Sequence, residues 1–279
     1  MSFKIPFSLQ ELMDFQEQES KKHSIAIARC YPMKNRDQDI MPYDATRVML
    51  STVKDDYINA SWINDLAPSC PKFITTQTPL PVTTTDFWAM VYEQGTEVVV
   101  MITSEYETGK KYPIYWPTEK GKAMEHGQII LNLQSVKYKG LWTERIVYML
   151  HTETKQGRTI VHLLYKHWPV SGFPDDVSHI VKFINETHTF YKQQRSLMKP
   201  VIVHCGNGIG RSGTFLLIYT GMQEILHGNG VIDIPILTKR MLSKRKNCIQ
   251  NPEQLRFAYE ALLYFAEDFL KRSEFFVLC

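Results

Sequence analysis

Apolar positions recur at helical spacing toward both ends of the chain and in short strand-like runs through its middle. Ser8 and Glu11 have the spacing of a capping box, and Phe7 and Leu12 stand where a hydrophobic staple forms, so a helix is expected from there to about Ala28. After a loop over 33–44, β-branched and aromatic runs at 57–63, 73–77, 97–102, 128–138, 145–151 and 159–167 predict a large central sheet. Phe87, Trp88, Met90 and Val91 place one helix over 83–93 between two of those strands. From Asp176 onward the pattern turns helical, over 177–194, 212–227, 234–246 and 252–272, broken by the apolar run 200–204. A strand-rich first half and a helix-rich second half argue an α+β fold with one mixed sheet. The chain shows no internal repeat, low-complexity segment or Gly/Ser-rich linker that divides it.

Composition narrows this further. At 279 residues, with 44% hydrophobic and 22% charged positions, the chain suits one large domain with a sizeable core and excludes disordered, collagen-like or coiled-coil classes. Apolar stretches such as Val98-Val99-Val100-Met101-Ile102 fall far short of the ~18–20 residues a membrane span needs, and the first residues lack a signal-peptide core, so no membrane span is expected. A net charge of +3 gives no case for a nucleic-acid partner but permits mild attraction to anions. The basic run Lys239, Arg240, Lys244, Arg245 and Lys246 reads as a solvated helix face. Nine histidines show no ligand spacing, and neither a metal nor a cofactor is expected. Five cysteines without a C-x-x-C pair argue free thiols in a reducing, cytoplasmic setting. Cys30, Cys70 and Cys248 read as small buried hydrophobes, and Cys279 at the chain end is too late for a prenylation box.

Cys205 differs from the other four. The segment Val201-Ile202-Val203-His204-Cys205-Gly206-Asn207-Gly208-Ile209-Gly210-Arg211-Ser212-Gly213-Thr214-Phe215 reads as a strand, a glycine-rich turn and a helix. The strand delivers Cys205 to the sheet edge. Gly206, Gly208 and Gly210 let the backbone curl so that successive N–H groups form an anion nest, and the helix start aims its positive end at the same place. Positive charge there favours a thiolate over a thiol, making Cys205 a nucleophile. Arg211 offers a planar fork for two oxygens of a phosphoryl group, and Ser212 can donate to the thiolate. His204 is expected to orient the loop.

This segment resembles the signature loop H-C-x-x-G-x-G-R-[ST]-G of the cysteine-dependent protein tyrosine phosphatases. Further blocks follow in family order: Lys34-Asn35-Arg36 with Pro42-Tyr43-Asp44, Asp55-Asp56-Tyr57-Ile58-Asn59-Ala60-Ser61, Gln77-Thr78-Pro79-Leu80 with Asp86-Phe87-Trp88, Tyr115-Trp116-Pro117, Trp168-Pro169, and Gln250 with Gln254-Leu255-Arg256-Phe257. Leu66-Ala67-Pro68-Ser69-Cys70-Pro71, Val91-Tyr92-Glu93-Gln94 and Gly228-Asn229-Gly230 are similar to the C-terminal domain of the His-domain (non-receptor type 23) branch. The resemblance implies a highly twisted mixed sheet flanked by helices, with residues 1–279 forming one phosphatase-like domain of a larger, monomeric, cytoplasmic and endosome-associated protein. It implies Cys205 as nucleophile, Arg211 and the loop Gly206, Asn207, Gly208, Ile209 and Gly210 as the phosphate cradle, and Ser212 as an aid to the thiolate. It also implies Gln250 as the residue that positions the hydrolytic water, Gln254 as its neighbour, Asp39 as the carboxylate that receives the substrate backbone, and Lys111 as a contact of the moving acid loop.

Several positions depart from the family pattern. Val170 stands where the family has the aspartate after Trp168-Pro169, and a general acid contributes typically ~10²–10⁴ in rate. Asp37 stands where a tyrosine stacks on the substrate ring, forfeiting ~0.5–1.5 kcal/mol of stacking and placing a carboxylate near a phosphate dianion. In the signature loop, Gly206-Asn207 replaces the common Ser-Ala. Asp175 and Asp176 precede a helix, where N-capping is the simpler role. The expectation is a phosphatase domain that retains nucleophile and cradle but hydrolyses phosphotyrosine weakly or not at all. Two alternatives stay open: a scaffold for endosomal-sorting partners in receptor trafficking, and residual activity on lipid or other non-tyrosine phosphates.

Overall fold

The computed structural model describes residues 8–51, 55–103, 112–229 and 233–277. Helix α1 (Leu9–Ser20) opens with the expected capping box: Glu11 N–H donates to Ser8 Oγ, and Ser8 N–H donates to the Glu11 carboxylate. Phe7, the other half of the expected staple, lies outside the described residues. The helix ends at Ser20 and does not continue to Ala28. The restart has a cause distant in sequence: the Asp44 carboxylate accepts from Ala26 N–H and Ile27 N–H, both at 3.1 Å, and so starts the separate four-residue helix α2 (Ala26–Arg29).

Among the described residues, nine strands form one mixed sheet. They are β1 (Arg47–Met49), β2 (Tyr57–Ile63), β3 (Phe73–Gln77), β4 (Val98–Ile102), β5 (Met124–His126), β6 (Ile129–Tyr138), β7 (Trp142–His151), β8 (Gly157–Tyr165) and β9 (Val201–Cys205). Their order is β1-β2-β3-β9-β4-β8-β7-β6-β5, parallel through β3-β9-β4-β8 and antiparallel on both flanks. All six expected strand runs are present, and the apolar run near 200–204 is the inner strand β9. The three-residue strands β1 and β5 were not expected, because so short a segment shows no alternation.

The two halves of the hydrophobic pattern correspond to two layers. Helices α4 (Val177–Lys192), α5 (Gly210–Leu226), α6 (Ile234–Leu242) and α7 (Pro252–Val277) pack on one face against Val98, Val100, Val201 and Val203. Helix α3 (Thr84–Glu93) covers the other face against Val99, Met101 and Ile202. Strand β9 is therefore buried on both faces, which is why it reads as a continuous apolar run. It ends at Cys205 and hands the chain to α5, at the carboxyl end of the parallel strands where open sheets of this kind bind ligands.

Three expectations need correction. Helix α6 stops at Leu242, short of residue 246. Arg245 is fully buried, so the basic run is not one solvated face. Cys30 is exposed and Cys70 partly so, whereas Cys248 is buried and its thiol is pushed up to about 12 chiefly by desolvation. Among the described residues no helix is long and apolar enough to cross a membrane.

Burial also fixes how the fold responds to acid. Desolvation holds His204 down to about 3, His188 to about 4 and His162 well below its ordinary range, while the unfolded chain protonates all three near ~6.5. The unfolded state therefore binds more protons below that value, and stability falls as pH drops. The urea midpoint is expected to decrease steadily from about pH 7 to about pH 5, before most carboxylates titrate. A midpoint that stays flat over that window contradicts the neutral burial of these rings.

Candidate active site

The loop after β9 is shaped by where its carbonyls go. Thr78 N–H donates to Cys205 O at 2.9 Å and to Gly206 O at 3.1 Å, and Thr78 Oγ1 donates to Cys205 O at 2.9 Å. On the other side, Arg245 donates from Nη2 to Asn207 O and from Nε to Gly208 O, both at 3.0 Å. Four successive carbonyls are thus held by the scaffold. In a trans peptide the N–H points opposite to the carbonyl, so the amides of Gly206, Asn207, Gly208 and Ile209 turn away from the groups that hold the carbonyls. Helix α5 begins at Gly210 with no side-chain cap, leaving its first amides available at the end of the same loop. Cys205 Sγ lies 4.0 Å from Ile209 O, so the loop closes back over the thiol.

The three loop glycines are needed for two different reasons. Gly208 alone has a left-handed backbone, φ +66°, and a Cβ on it would stand 2.1 Å from Thr76 O. Gly206 and Gly210 are required for close approach. A Cβ on Gly210 would meet Gln250 Oε1 at 2.2 Å and Gln254 Nε2 at 2.6 Å, which places both glutamines against the loop. Gln254 Oε1 also accepts from Gln250 N–H at 2.8 Å. Ser212 is fully buried, and its Oγ has no hydrogen-bond partner among the described residues. Arg211 extends to the loop after Trp168, donating from Nη2 to Pro169 O at 3.2 Å and Val170 O at 3.3 Å.

Beneath the thiol runs a buried polar chain. Thr78 Oγ1 spends its proton on Cys205 O, so it accepts from His204 Nδ1–H at 3.1 Å. The neutral ring then accepts at Nε2 from Tyr115 O–H at 2.5 Å, and the Tyr115 oxygen accepts from His162 Nε2–H at 2.9 Å. His204 is thereby joined to the Cys205 carbonyl through Thr78.

The recognition loop is joined to this assembly by Asn35 and Asn59. Asn35 Oδ1 accepts from Tyr57 O–H and from Asn59 Nδ2, while Asn59 Oδ1 accepts from Arg245 Nη2 at 2.7 Å. Lys34 turns inward to Asp55 and Asp86, at 2.5 and 2.9 Å. Asp37 and Asn207, both departures from the family pattern, meet across the mouth, with Asn207 Nδ2 3.4 Å from Asp37 Oδ2. The Asn207 side chain thus faces the recognition loop. Asp39 is exposed, and its N–H donates to Asp37 Oδ1 at 2.9 Å. Lys111 lies outside the described residues.

In the segment after Trp168, Val170 is 60% exposed. Asp176 caps α4, accepting from Ser178 N–H at 2.7 Å and Ser178 O–H at 2.8 Å, and these hydrogen bonds hold its carboxyl below the usual range. Asp175 is exposed.

Sequence reasoning missed two residues that shape this loop. Arg245 was hidden in a basic run with no signal to single it out. Tyr112, buried beside Gly206, carried only the signal of an aromatic three positions ahead of Tyr115-Trp116-Pro117.

A central parallel strand that ends on a cysteine, followed by a loop whose carbonyls are anchored to the scaffold and by an uncapped helix start, defines a protein-tyrosine phosphatase architecture. The family model for protein-tyrosine phosphatases matches residues 31–264, and the chain belongs to that family. It is 47% identical over 264 residues to tyrosine-protein phosphatase non-receptor type 23 of Homo sapiens and 37% identical over 243 residues to non-receptor type 4 of Mus musculus. It is 34% identical over 238 residues to receptor-type tyrosine-protein phosphatase-like N of Bos taurus. These matches cover 94%, 85% and 82% of this chain but 16%, 26% and 24% of the relatives, so the chain spans well under a third of their length.

Arg245 gives the site's clearest stability test. Arg245→Met leaves the acceptors at Asn207, Gly208, Asn59 and Ser61 without their buried donor, at about 1–3 kcal/mol for each group left unsatisfied. Urea unfolding is expected to show a loss of about 3 kcal/mol or more, with Arg245→Lys recovering little of it because the planar fork is lost. A loss below about 1 kcal/mol, within the range of ordinary surface changes, contradicts the assigned role.

Proposed function

We propose that this domain is a cysteine-dependent phosphatase able to form a phosphocysteine but impaired in both proton-transfer steps. Cys205 Sγ attacks phosphorus, the P–O bond to the leaving group breaks, and the loop amides with Arg211 stabilise the charge on the transferring group. The leaving oxygen then needs a proton, and Val170 has none to give. Water positioned by Gln250 next attacks phosphorus, the P–S bond breaks and the thiolate leaves, aided by Ser212, without the carboxylate base that position 170 supplies in the family. Lys111, Asp39 and Gln254 take the positioning roles implied by the family. The observation that carries this reading is the outward anchoring of the four carbonyls at 205–208, which favours an anion in the cradle.

The Asp37–Asn207 contact across the mouth favours a second reading, in which the domain binds partners and turns nothing over. On that reading the partners are the endosomal-sorting proteins implied by the type 23 resemblance. Residual activity on lipid phosphates is a third outcome of the same assays.

Aryl phosphates of graded leaving-group pKa separate these possibilities. The expected result is a steep fall in kcat/KM as the leaving phenol approaches a pKa of ~10, a gain of about tenfold or more in Val170→Asp on the poorest leaving groups, and no activity in Cys205→Ser. If Val170→Asp stays at the Cys205→Ser background on aryl phosphates and phosphoinositides alike, the binding-only reading holds. Turnover of phosphoinositides alone favours the lipid reading.

A further inference from the structure

The phosphate loop has a support that the family resemblance does not assign. Tyr112 is buried, 4% exposed, and a Cβ on Gly206 would stand 2.3 Å from its hydroxyl oxygen and 3.2 Å from Cζ. The first of these distances is one that real Cβ atoms essentially never show. Above the same ring lies the Arg36 guanidinium, 4.7 Å from the ring centroid. Arg36 Nη2 donates to Thr78 O at 2.9 Å and Pro79 O at 3.3 Å, and Thr78 N–H holds the carbonyls of Cys205 and Gly206. The contacts close a ring: Tyr112 under Arg36, Arg36 on Thr78, Thr78 on Gly206, and Gly206 against Tyr112.

We propose that Tyr112 is a positioning residue for the phosphate loop, its hydroxyl filling the space of the side chain that position 206 commonly carries. Gly206 and Tyr112 are then one coupled feature: glycine is required because the tyrosine is there. Tyr112 also links the recognition loop, through Arg36, to the peptide that follows the nucleophile. The inference rests on reading this loop as the phosphate cradle.

The test is a double-mutant cycle of wild type, Gly206→Ala, Tyr112→Phe and the pair. It is read by calorimetric binding of tungstate, a tetrahedral dianion, and by melting temperature. Overpacking at Gly206→Ala is expected to weaken tungstate binding by about tenfold or more. The pair is expected to regain most of that affinity, because loss of the hydroxyl removes the closest contact. A cooperative melt for each variant separates a displaced loop from failure to fold. Wild-type affinity in Gly206→Ala, or a pair no better than Gly206→Ala, overturns the proposal. If wild type itself binds no tungstate, the phosphatase reading fails, and the melting-temperature cycle still decides whether the two positions compete for one space.

Discussion

The buried guanidinium of Arg245 is the constraint on which the site depends. Burying a charge is costly unless every donor finds a partner, and burial here pulls the guanidinium's pKa down without removing its charge. The described partners of its Nε, Nη1 and Nη2 are all uncharged oxygens: Gly208 O, Ser61 Oγ, Asn59 Oδ1 and Asn207 O. One planar group therefore fixes two carbonyls of the phosphate loop to two side chains of strand β2. Because Asn59 also donates to Asn35 Oδ1 and to Ile40 O, the same joint reaches the recognition loop. The loop can present amides to an anion because its carbonyls are occupied elsewhere.

Against that anchored loop, the segment after Trp168 has a different character. Its indole Nε1–H donates to Gly172 O at 3.1 Å, and Arg211 holds the carbonyls of Pro169 and Val170. The backbone is anchored while residue 170 offers only an alkyl group. The Asp176 carboxylate is engaged by the first turn of α4. On the proposed reading, binding chemistry and proton chemistry rest on separate elements.

Much of this was legible in the sequence where local pattern decides the outcome. The continuous apolar run ending at Cys205 and the glycine spacing after it specify strand, turn and helix start, and the capping box at Ser8 forms as its spacing implies. Legibility failed where distant residues decide. Asp44 starts the second helix by accepting from Ala26 and Ile27 from across a loop. Arg245 looks like its exposed basic neighbours until β2 and the phosphate loop close around it. The three loop glycines look alike in sequence, yet only Gly208 needs its backbone angle, while Gly206 answers to Tyr112 and Gly210 to two glutamines. Pairwise fit between segments far apart in the chain leaves no periodicity to read.

The central claim is that Cys205 captures a phosphoryl group that this chain is poorly equipped to release. Its most direct test is rapid-quench intact-mass spectrometry after mixing with an aryl phosphate whose leaving group needs no protonation. A burst of released phenol is expected, near one equivalent per chain, with one phosphoryl group retained on Cys205 and hydrolysed slowly. Release of phenol with neither a burst nor a modified Cys205, or the same release from Cys205→Ser, would contradict it.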